Sequence, residues 1–364
     1  MAAFQARSRI AFPDVDDYIS AITDSVAAHG MHVVARDTGY VASSDFGSAR
    51  IQPVDGALEI SIEAQNGPAL NRIRHSMTGL IDFVAHDAHL DIDWSGDEVG
   101  ATYPPDLRIL TVADISMVTP NMKRVVFRGD DLRHLDDPEQ IHCRLLLQQP
   151  DTLSPAWPTL NDRGRIDWPE SGKLVSRVYT IREIDCARGT LTIDFFIHKG
   201  RGAALDIIKI LKPGDSVGIL GPAAHGPRKA EWFLLAGDET GLPGIARILS
   251  ELPPTARGVA IIECTDDSDR QPLAHPQGFD IRWLSRPPCS PSCLSETIAA
   301  ISWPDTKDDA YFWGGYEYQT FRTMRRHLRN DVHLPATRQA SFAHWRQGMS
   351  EDDIVAAGGA SVAE

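Results

Sequence analysis

Arg177, Val178, Tyr179 and Thr180 bring three useful chemistries together in four residues. An arginine can hold a phosphate through two parallel hydrogen bonds. A tyrosine offers a broad face on which a planar ring can stack. A threonine adds a hydroxyl and a backbone N–H. This matches what a flavin needs: a cation for its pyrophosphate, an aromatic face and a donor near N5. The same tetrad also suits a surface arginine beside a core tyrosine, and four residues do not choose between the two. A second candidate is Gly237-Asp238-Glu239-Thr240-Gly241-Leu242-Pro243. Its small residues let a ligand approach the backbone, and a helix starting there presents free N–H groups to phosphate. It lacks the G-x-G-x-x-G spacing, and its two carboxylates oppose an anion. An ordinary strand-to-helix turn capped by Asp or Thr is the alternative.

The elements that must position these residues follow from periodicity. Residues 1–98 read as an α-β-β-β-α-β module. Val15, Tyr18, Ile19, Ile22 and Val26 recur at helical spacing, and Leu70, Ile73, Met77, Leu80, Ile81 and Val84 do so again. Leu58, Ile60 and Ile62 alternate with polar residues, as in a half-buried strand, and the module ends on a similar stretch, L-D-I-D-W (Leu90–Trp94). Residues 107–229 carry short strands at regular spacing, which predicts a small antiparallel barrel. Residues 230–348 alternate strand and helix, which predicts a parallel α/β sheet. Residues 349–364 read as a frayed acidic tail.

Composition excludes other classes. The chain has 364 residues, 42% of them hydrophobic, enough for real cores. Lys and Arg total 36 against 50 Asp and Glu, a net charge of −14 that argues against nucleic-acid binding. No apolar run reaches the roughly 18 residues of a membrane-spanning helix, and no signal peptide is legible, so a cytoplasmic protein is expected. The five cysteines form no C-x-x-C pair, so neither a disulfide framework nor a four-thiolate metal site is expected. His86, His89, Asp91 and Asp93 resemble a ligand cluster in one dimension. On an alternating strand the last three are simply the solvent face, and no metal site is assigned.

Several motifs fall in one order. R-V-Y-T is followed by T-I-D-F-F-I-H, K-P-G-D, G-P and L-L-A-G-D-E-T-x-L-P; M-K-R-V-V-F-R-G precedes them, and I-R-W-L-S-R, W-G-G-Y-E and H-W-R-Q-G follow. From about Leu107 to Gly348 this resembles the siderophore-interacting protein family, FAD-dependent ferric-siderophore reductases of the ferredoxin-reductase-like superfamily. The N-terminal part is similar to a small domain of unknown function found beside that family.

The resemblance implies an FAD-binding barrel and an NAD(P)-binding-like α/β domain. Arg177, Tyr179 and Thr180 would hold the FAD phosphate, stack on the ring and approach N5, with Tyr179 and Thr180 nearest the chemistry. Asp194, Phe196 and His198 would line the flavin from the next strand. Gly202, Ala203 and Ala204 would meet the pyrophosphate. The family's Ser and a frequent basic residue are replaced here by Leu205 and Asp206, which puts FAD retention in question. Gly241 and Gly244 stand where the family often has Ala. Gly237, Asp238, Glu239, Thr240, Leu242 and Pro243, with Gly315 and Glu317, would face NADH or NADPH. Arg144, Arg182 and Arg346 would receive an anionic ferric siderophore. A reduced ferredoxin is the other donor considered. The rival readings are a non-catalytic siderophore- or flavin-binding module and a general flavin reductase or diaphorase.

Overall fold

The computed structural model describes residues 4–97, 103–150, 152, 155–161, 163–170, 174–198, 202–223, 226–286, 290 and 292–349. Arg201, Cys289, the 98–102 stretch of the expected linker and the tail beyond residue 349 lie outside them. The chain divides into two compact units. One comprises Met1–Leu107 with Leu153–Leu174, the other Arg108–Thr152 with Val175–Glu364.

The first unit begins with β1 (Phe4–Ala11) and α1 (Val15–Ala28), then a run of four strands, β2 (His32–Arg36), β3 (Gly39–Ser44), β4 (Gly47–Val54) and β5 (Ala57–Ala64). It continues with α2 (Gly67–Val84) and the short β6 (Ser95–Gly96). The sheet order is β2-β3-β4-β5-β1-β6, antiparallel throughout. Both helices bury the apolar stripe expected of them, with Ile22 and Val26 from α1 and Leu70, Ile73 and Met77 from α2 in one core. Asn66 caps α2 by accepting the Ala69 N–H at 2.9 Å.

Three local expectations are corrected here. Four strands, β2 to β5, stand between the helices where three were expected. A strand, β1, precedes α1; its inward positions are Ala6, Ser8 and Ile10, too small and mixed to give a clear alternating signal. Leu90–Trp94 keeps the alternation, with Ile92 and Trp94 buried, yet forms no strand; only Ser95 and Gly96 pair with β1. Burial on alternate residues needs an extended backbone, not a ladder partner.

The second unit opens with β7 (Leu107–Thr119), β8 (Met122–Arg128) and β9 (His142–Gln148). The chain then makes an excursion into the first unit, where β10 (Thr159–Leu160) and β11 (Ile166–Asp167) form a hairpin. It returns as β12 (Leu174–Thr180), β13 (Glu183–Asp185), β14 (Thr190–Phe196), α3 (Ala203–Ile210) and β15 (Ser216–Ala223). These strands make one seven-stranded sheet, β12-β9-β15-β7-β8-β14-β13, with antiparallel pairing at β7–β8, β8–β14, β14–β13 and β9–β15. Ala204, Ile207 and Ile208 of α3 close its core over Val125, Phe127 and Phe195.

The rest is a parallel α/β layer: β16 (Trp232–Gly237), α4 (Leu242–Glu251), β17 (Arg257–Cys264), β18 (Gly278–Ser285), α5 (Leu294–Ala299), β19 (Ala310–Glu317), α6 (Tyr318–Asn330) and β20 (Gln339–Trp345). The order β18-β17-β16-β19-β20 reverses direction between β16 and β19. β20 is a strand the periodicity did not reveal. The two sheets of this unit are fastened by side chains distant in sequence. Asp269 accepts from the Thr119 hydroxyl (2.5 Å), the Asn121 amide N–H (3.0 Å) and Asn121 Nδ2 (2.8 Å). The buried Arg247 donates to the carbonyls of Ile181 (3.0 Å) and Asp137 (3.3 Å) and pairs with Glu251 at 2.9 Å.

Candidate functional site

The R-V-Y-T tetrad lies on β12 as expected, but its burial sorts the residues. Arg177 is only 7% exposed, Thr180 is buried, Tyr179 is half-buried and Val178 is outside. Arg177 Nη1 donates to the Ser176 carbonyl at 2.8 Å. Tyr179 meets Phe195 edge to face, with centroids 4.8 Å apart, so Phe195 braces its ring. A surface arginine beside a core tyrosine is therefore not the arrangement found: the arginine is the more buried of the two.

The start of α3 supplies backbone donors. The first amides of any helix have no acceptor within it. Gly202 precedes them, and a Cβ added there would meet nothing within 4 Å. The other end of α3 is held by Lys123, whose buried Nζ donates to the carbonyls of Ile208 (2.7 Å) and Lys209 (3.3 Å). A cation at a helix C-terminus is favourable, and burial lowers the pKa of this lysine. Leu205 is packed inward, so it replaces a hydroxyl by core. Asp206 points to solvent, 56% exposed, and lies 3.9 Å from Lys209 on the same helix. Water and that lysine screen its charge. The residues present thus fit a flavin: a buried guanidinium, a braced ring and an open run of helix-start amides.

β14 contributes differently from expectation. Asp194 is 5% exposed, and its carboxylate takes a two-pronged bond from Arg124, with Nε and Nη2 both at 2.7 Å. Arg182 Nε lies 3.9 Å away on the other side. The carboxylate is thus spent on two arginines, which leaves the backbone of Asp194 for any ligand. Phe196 is half-buried, and His198 is exposed with its ring 6.2 Å from that of Phe196. Desolvation and then the charge of Lys209 lower the His198 pKa.

The second site forms where the parallel sheet reverses its strand order. Ligands of such sheets bind in the crevice at the carboxyl ends of the strands flanking that point. Here these ends are Gly237 of β16 and Gly315 and Glu317 of β19. The backbones here approach more closely than the alanines often found in the family at these two positions would allow: a Cβ on Gly241 would lie 2.1 Å from the Gly315 carbonyl oxygen, and one on Gly244 would lie 2.3 Å from Trp313. Leu242 and Pro243 open α4 and are buried. The two carboxylates are turned inward. Asp238 accepts from the Thr240 N–H (2.8 Å), the Thr240 hydroxyl (2.6 Å) and Trp345 Nε1 (2.7 Å). Glu239 accepts from the Thr265 N–H at 2.6 Å and meets Arg286 at 3.4 Å. Both are buried and hydrogen-bonded within the fold, and Arg286 offsets part of their charge, so they oppose an anion less than the sequence alone suggested. Glu317 caps α6 through the Gln319 N–H and takes the Gln347 N–H at 3.1 Å.

Sequence reasoning assigned no role to three residues that build this rim. Trp345 ties β20 to Asp238, Arg286 links Glu239 to Glu263 (3.2 Å), and Asp269 fastens the two sheets. Trp345 lies within the H-W-R-Q-G motif and Arg286 ends I-R-W-L-S-R, the only signal they gave. The exposed arginines of α6 were missed too, although Arg322, Arg325, Arg326 and Arg329 recur at helical spacing. Of the three arginines expected to meet a siderophore, Arg144 is exposed on β9 and bonds Ser176 at 3.1 Å. Arg346 lies over the Tyr318 ring at 4.7 Å. Arg182 is half-buried beside Asp194.

His142, from β9, packs among Trp313, Phe342 and His344 of the parallel layer, its centroid 6.0 Å from that of His344. Burial, then His344 and Arg247, push its pKa down to about 3, and burial lowers that of His344 as well. A histidine held neutral by the fold binds its proton more readily when unfolded. Stability is therefore full above the unfolded pKa near 6.5 and is lost as pH falls toward about 3. At pH 5 the loss from His142 is on the order of 2 kcal/mol. Denaturant titrations at pH 7.5 and pH 5 should show it, and His142→Phe should reduce the difference. An equal pH dependence in both proteins would remove His142 as the cause.

These features define a ferredoxin-reductase-like fold: an antiparallel sheet of the FAD-binding type followed by a parallel nucleotide-binding-type layer. Residues 111–226 match the siderophore-interacting FAD-binding domain, and residues 230–348 match the siderophore-interacting protein model. The chain belongs to the siderophore-interacting protein family. It is 31% identical to the NADPH-dependent ferric-chelate reductase of Escherichia coli K12, over 66% of this chain and 94% of that one. It is 27% identical to the ferric vibriobactin reductase of Vibrio cholerae, over 70% and 94%. The siderophore-interacting protein SipS from Aeromonas hydrophila superposes with a TM-score of 0.61 at 28% identity, over 71% and 99%. No helix among the described residues is long and apolar enough to cross a membrane.

Proposed function

We propose that this protein is an FAD-dependent reductase of ferric siderophores that releases Fe(II) for iron uptake, with electrons from NADPH or NADH. The observation that carries the reading is the junction of the two sites. The strand of Arg177, Tyr179 and Thr180 and the crevice at Gly237 and Gly315 belong to one unit, fastened by Asp269 and Arg247. The names of the relatives support the substrate class.

In this reading Arg177 and the amides of Ala203 and Ala204 hold the FAD pyrophosphate. Tyr179 stacks on the ring, Thr180 donates near N5, and Phe196, His198 and the Asp194 backbone complete the wall. Gly237, Thr240 and Gly315 admit the nicotinamide nucleotide, with Asp238, Glu239 and Glu317 shaping the rim and Leu242 and Pro243 opening α4. Arg144 and Arg346 attract the anionic chelate, and Arg182 adds charge from beneath. Bound FAD supplies two-electron acceptance and one-electron donation. Fe(II) suits hard oxygen chelators less well than Fe(III), so iron is released. Residues 107–229, apart from the 153–174 excursion into the first unit, then serve as the flavin domain, 230–348 as the nucleotide domain, 1–98 as a separate module and 349–364 as a tail. A reducing compartment, the cytoplasm, is the location we propose for this activity, in keeping with five cysteines that form no C-x-x-C pair.

One observation favours a second electron source. The outward side of α6 carries Arg322, Arg326 and Arg329 on a chain of net charge −14, and Glu317 anchors that helix to the crevice. Such a face suits an acidic carrier protein such as a ferredoxin.

Anaerobic assays with a catecholate ferric siderophore and an Fe(II)-trapping dye test the reading, with NADPH, NADH or reduced ferredoxin as donor. Siderophore-dependent Fe(II) formation above the rate with free quinones is expected. A colourless protein that takes up no FAD would leave only a binding module. Tyr179→Ala should weaken FAD binding roughly two- to tenfold, the worth of an aromatic contact. Unchanged affinity in a fluorescence titration would remove the stacking role.

A further inference from the structure

The proposed reaction uses β12 but gives no role to the excursion before it, nor to the N-terminal module. The chain leaves the second unit after Thr152 and re-enters it at Val175, two residues before Arg177. Within the first unit, β10 and β11 pair at Thr159↔Asp167 and Leu160↔Ile166. Asn161 folds the tip by accepting the N–H groups of Arg163 and Arg165, each at 3.0 Å, and donates to Asp167 at 2.9 Å.

That tip is gripped by α2 and the residues after it. Arg165 forks onto Asp82 with two bonds of 2.9 Å. Arg163 meets Asp91 at 2.9 Å and Asp93 at 3.1 Å. Its carbonyl accepts from the Thr78 hydroxyl (3.1 Å), which in turn accepts from Trp94 Nε1 (2.9 Å). His75 Nδ1 lies 2.8 Å from the Gly164 carbonyl. Gly164 has φ +75°, and a Cβ there would stand 2.9 Å from the Thr78 hydroxyl. Backbone carbonyls, a bidentate ion pair and a glycine-only approach make this a fitted contact, not a chance apposition of surfaces. It also accounts for Asp91 and Asp93, which the sequence presented as part of a ligand-like cluster.

We propose that the N-terminal module is a clip whose α2 face holds the 155–170 hairpin, and that this grip positions β12. The hairpin is tied covalently to the second unit on both sides, and the chain passes between the units three times, after residues 107, 152 and 174. A hairpin gripped at its tip retains little freedom, and Leu174, the first residue of β12, follows only four positions after Glu170, which limits where that strand can start. His75, Asp82, Arg163 and Arg165 are then positioning residues for Arg177, Tyr179 and Thr180. The link to FAD rests on the function proposed above; the link to β12 does not.

Hydrogen exchange read by mass spectrometry on the full chain tests it, alongside FAD titration. Arg165→Asp and Asp82→Arg should each speed exchange in the hairpin and in residues 174–180, and weaken FAD about tenfold, the equivalent of 1.4 kcal/mol. The double swap should restore slow exchange and FAD affinity, which general destabilisation would not. Faster exchange in the hairpin with unchanged β12 and FAD affinity would overturn the proposal, as would single variants that leave the hairpin protected. If the charge reversals do not fold, Arg163→Ala, in a more exposed pair, should give the same pattern at smaller amplitude, and no change in β12 would again overturn it. A wild-type chain that binds no FAD would defeat the proposed function, while the exchange data would still decide the clip.

Discussion

Gly241→Ala should cost about 3 kcal/mol or more and destroy the nucleotide crevice. The added Cβ would lie 2.1 Å from the Gly315 oxygen, 3.0 Å from the Gly315 carbonyl carbon and 3.1 Å from the Gly237 Cα. All three are backbone atoms of strands that pair with each other, so no side-chain rotation relieves the clash. Overpacking of flexible cores typically costs 1–3 kcal/mol; a clash with paired backbone belongs at or above that limit. The relief available is to separate the ends of β16 and β19, which breaks the Asp238 N–H bond to the Gly315 carbonyl at 3.3 Å. The melting temperature should fall by about 6–12 °C, at 2–4 °C per kcal/mol for a unit of this size. Binding of a nicotinamide nucleotide, measured by calorimetry, should be lost even where the variant stays folded. A variant with unchanged melting and nucleotide affinity would show that Gly241 and Gly315 are not apposed.

Asp194→Ala should be the most damaging single change in the flavin-binding sheet. It removes the carboxylate between Arg124 and Arg182 and leaves two half-buried guanidiniums facing one another. Removing one partner of a buried pair costs roughly 3–5 kcal/mol because the remaining charge is uncompensated. Arg124 keeps 29% of its side chain in water, so the expected loss is about 2–4 kcal/mol. The damage sits in register between β8 and β14, where Asp194 pairs directly with Arg124. Asp194→Asn should cost less, since it keeps an acceptor. Adding Arg124→Leu to Asp194→Ala should recover part of the loss, because one orphaned charge disappears with it. Urea titrations of the four proteins decide the matter. A double variant no more stable than Asp194→Ala would count against charge as the cause.

Much of this molecule was legible in one dimension. The strands of the flavin sheet, the shift to alternating strand and helix after residue 230, and the helices at Val15–Ala28 and Gly67–Val84 all follow from local periodicity. Periodicity reports which face of an element is apolar, and that is set by neighbours in sequence. It weakens where the inward positions are small, as in β1 with Ala6 and Ser8, and in β20, whose inward side is only half-buried. It also misleads where burial occurs without pairing, as at Ile92 and Trp94.

By itself the sequence determined the change from short antiparallel strands to alternating strand and helix, the placement of Arg177, Tyr179 and Thr180 on one strand, and the glycines at the end of β16. Only the tertiary structure decided what the charged residues do. Asp238 and Glu239 read as repulsive to a phosphate, yet they are consumed by Trp345, Thr240, Thr265 and Arg286. Asp194 belongs to two arginines, Asp206 to solvent and Lys209, and the hairpin after β9 to the N-terminal module. The physical reason is range. A side chain's face is fixed within a few residues, but its charge partner can lie anywhere the chain returns, 148 residues away for Asn121 and Asp269. Whether a carboxylate repels a ligand or frames its site depends on that partner.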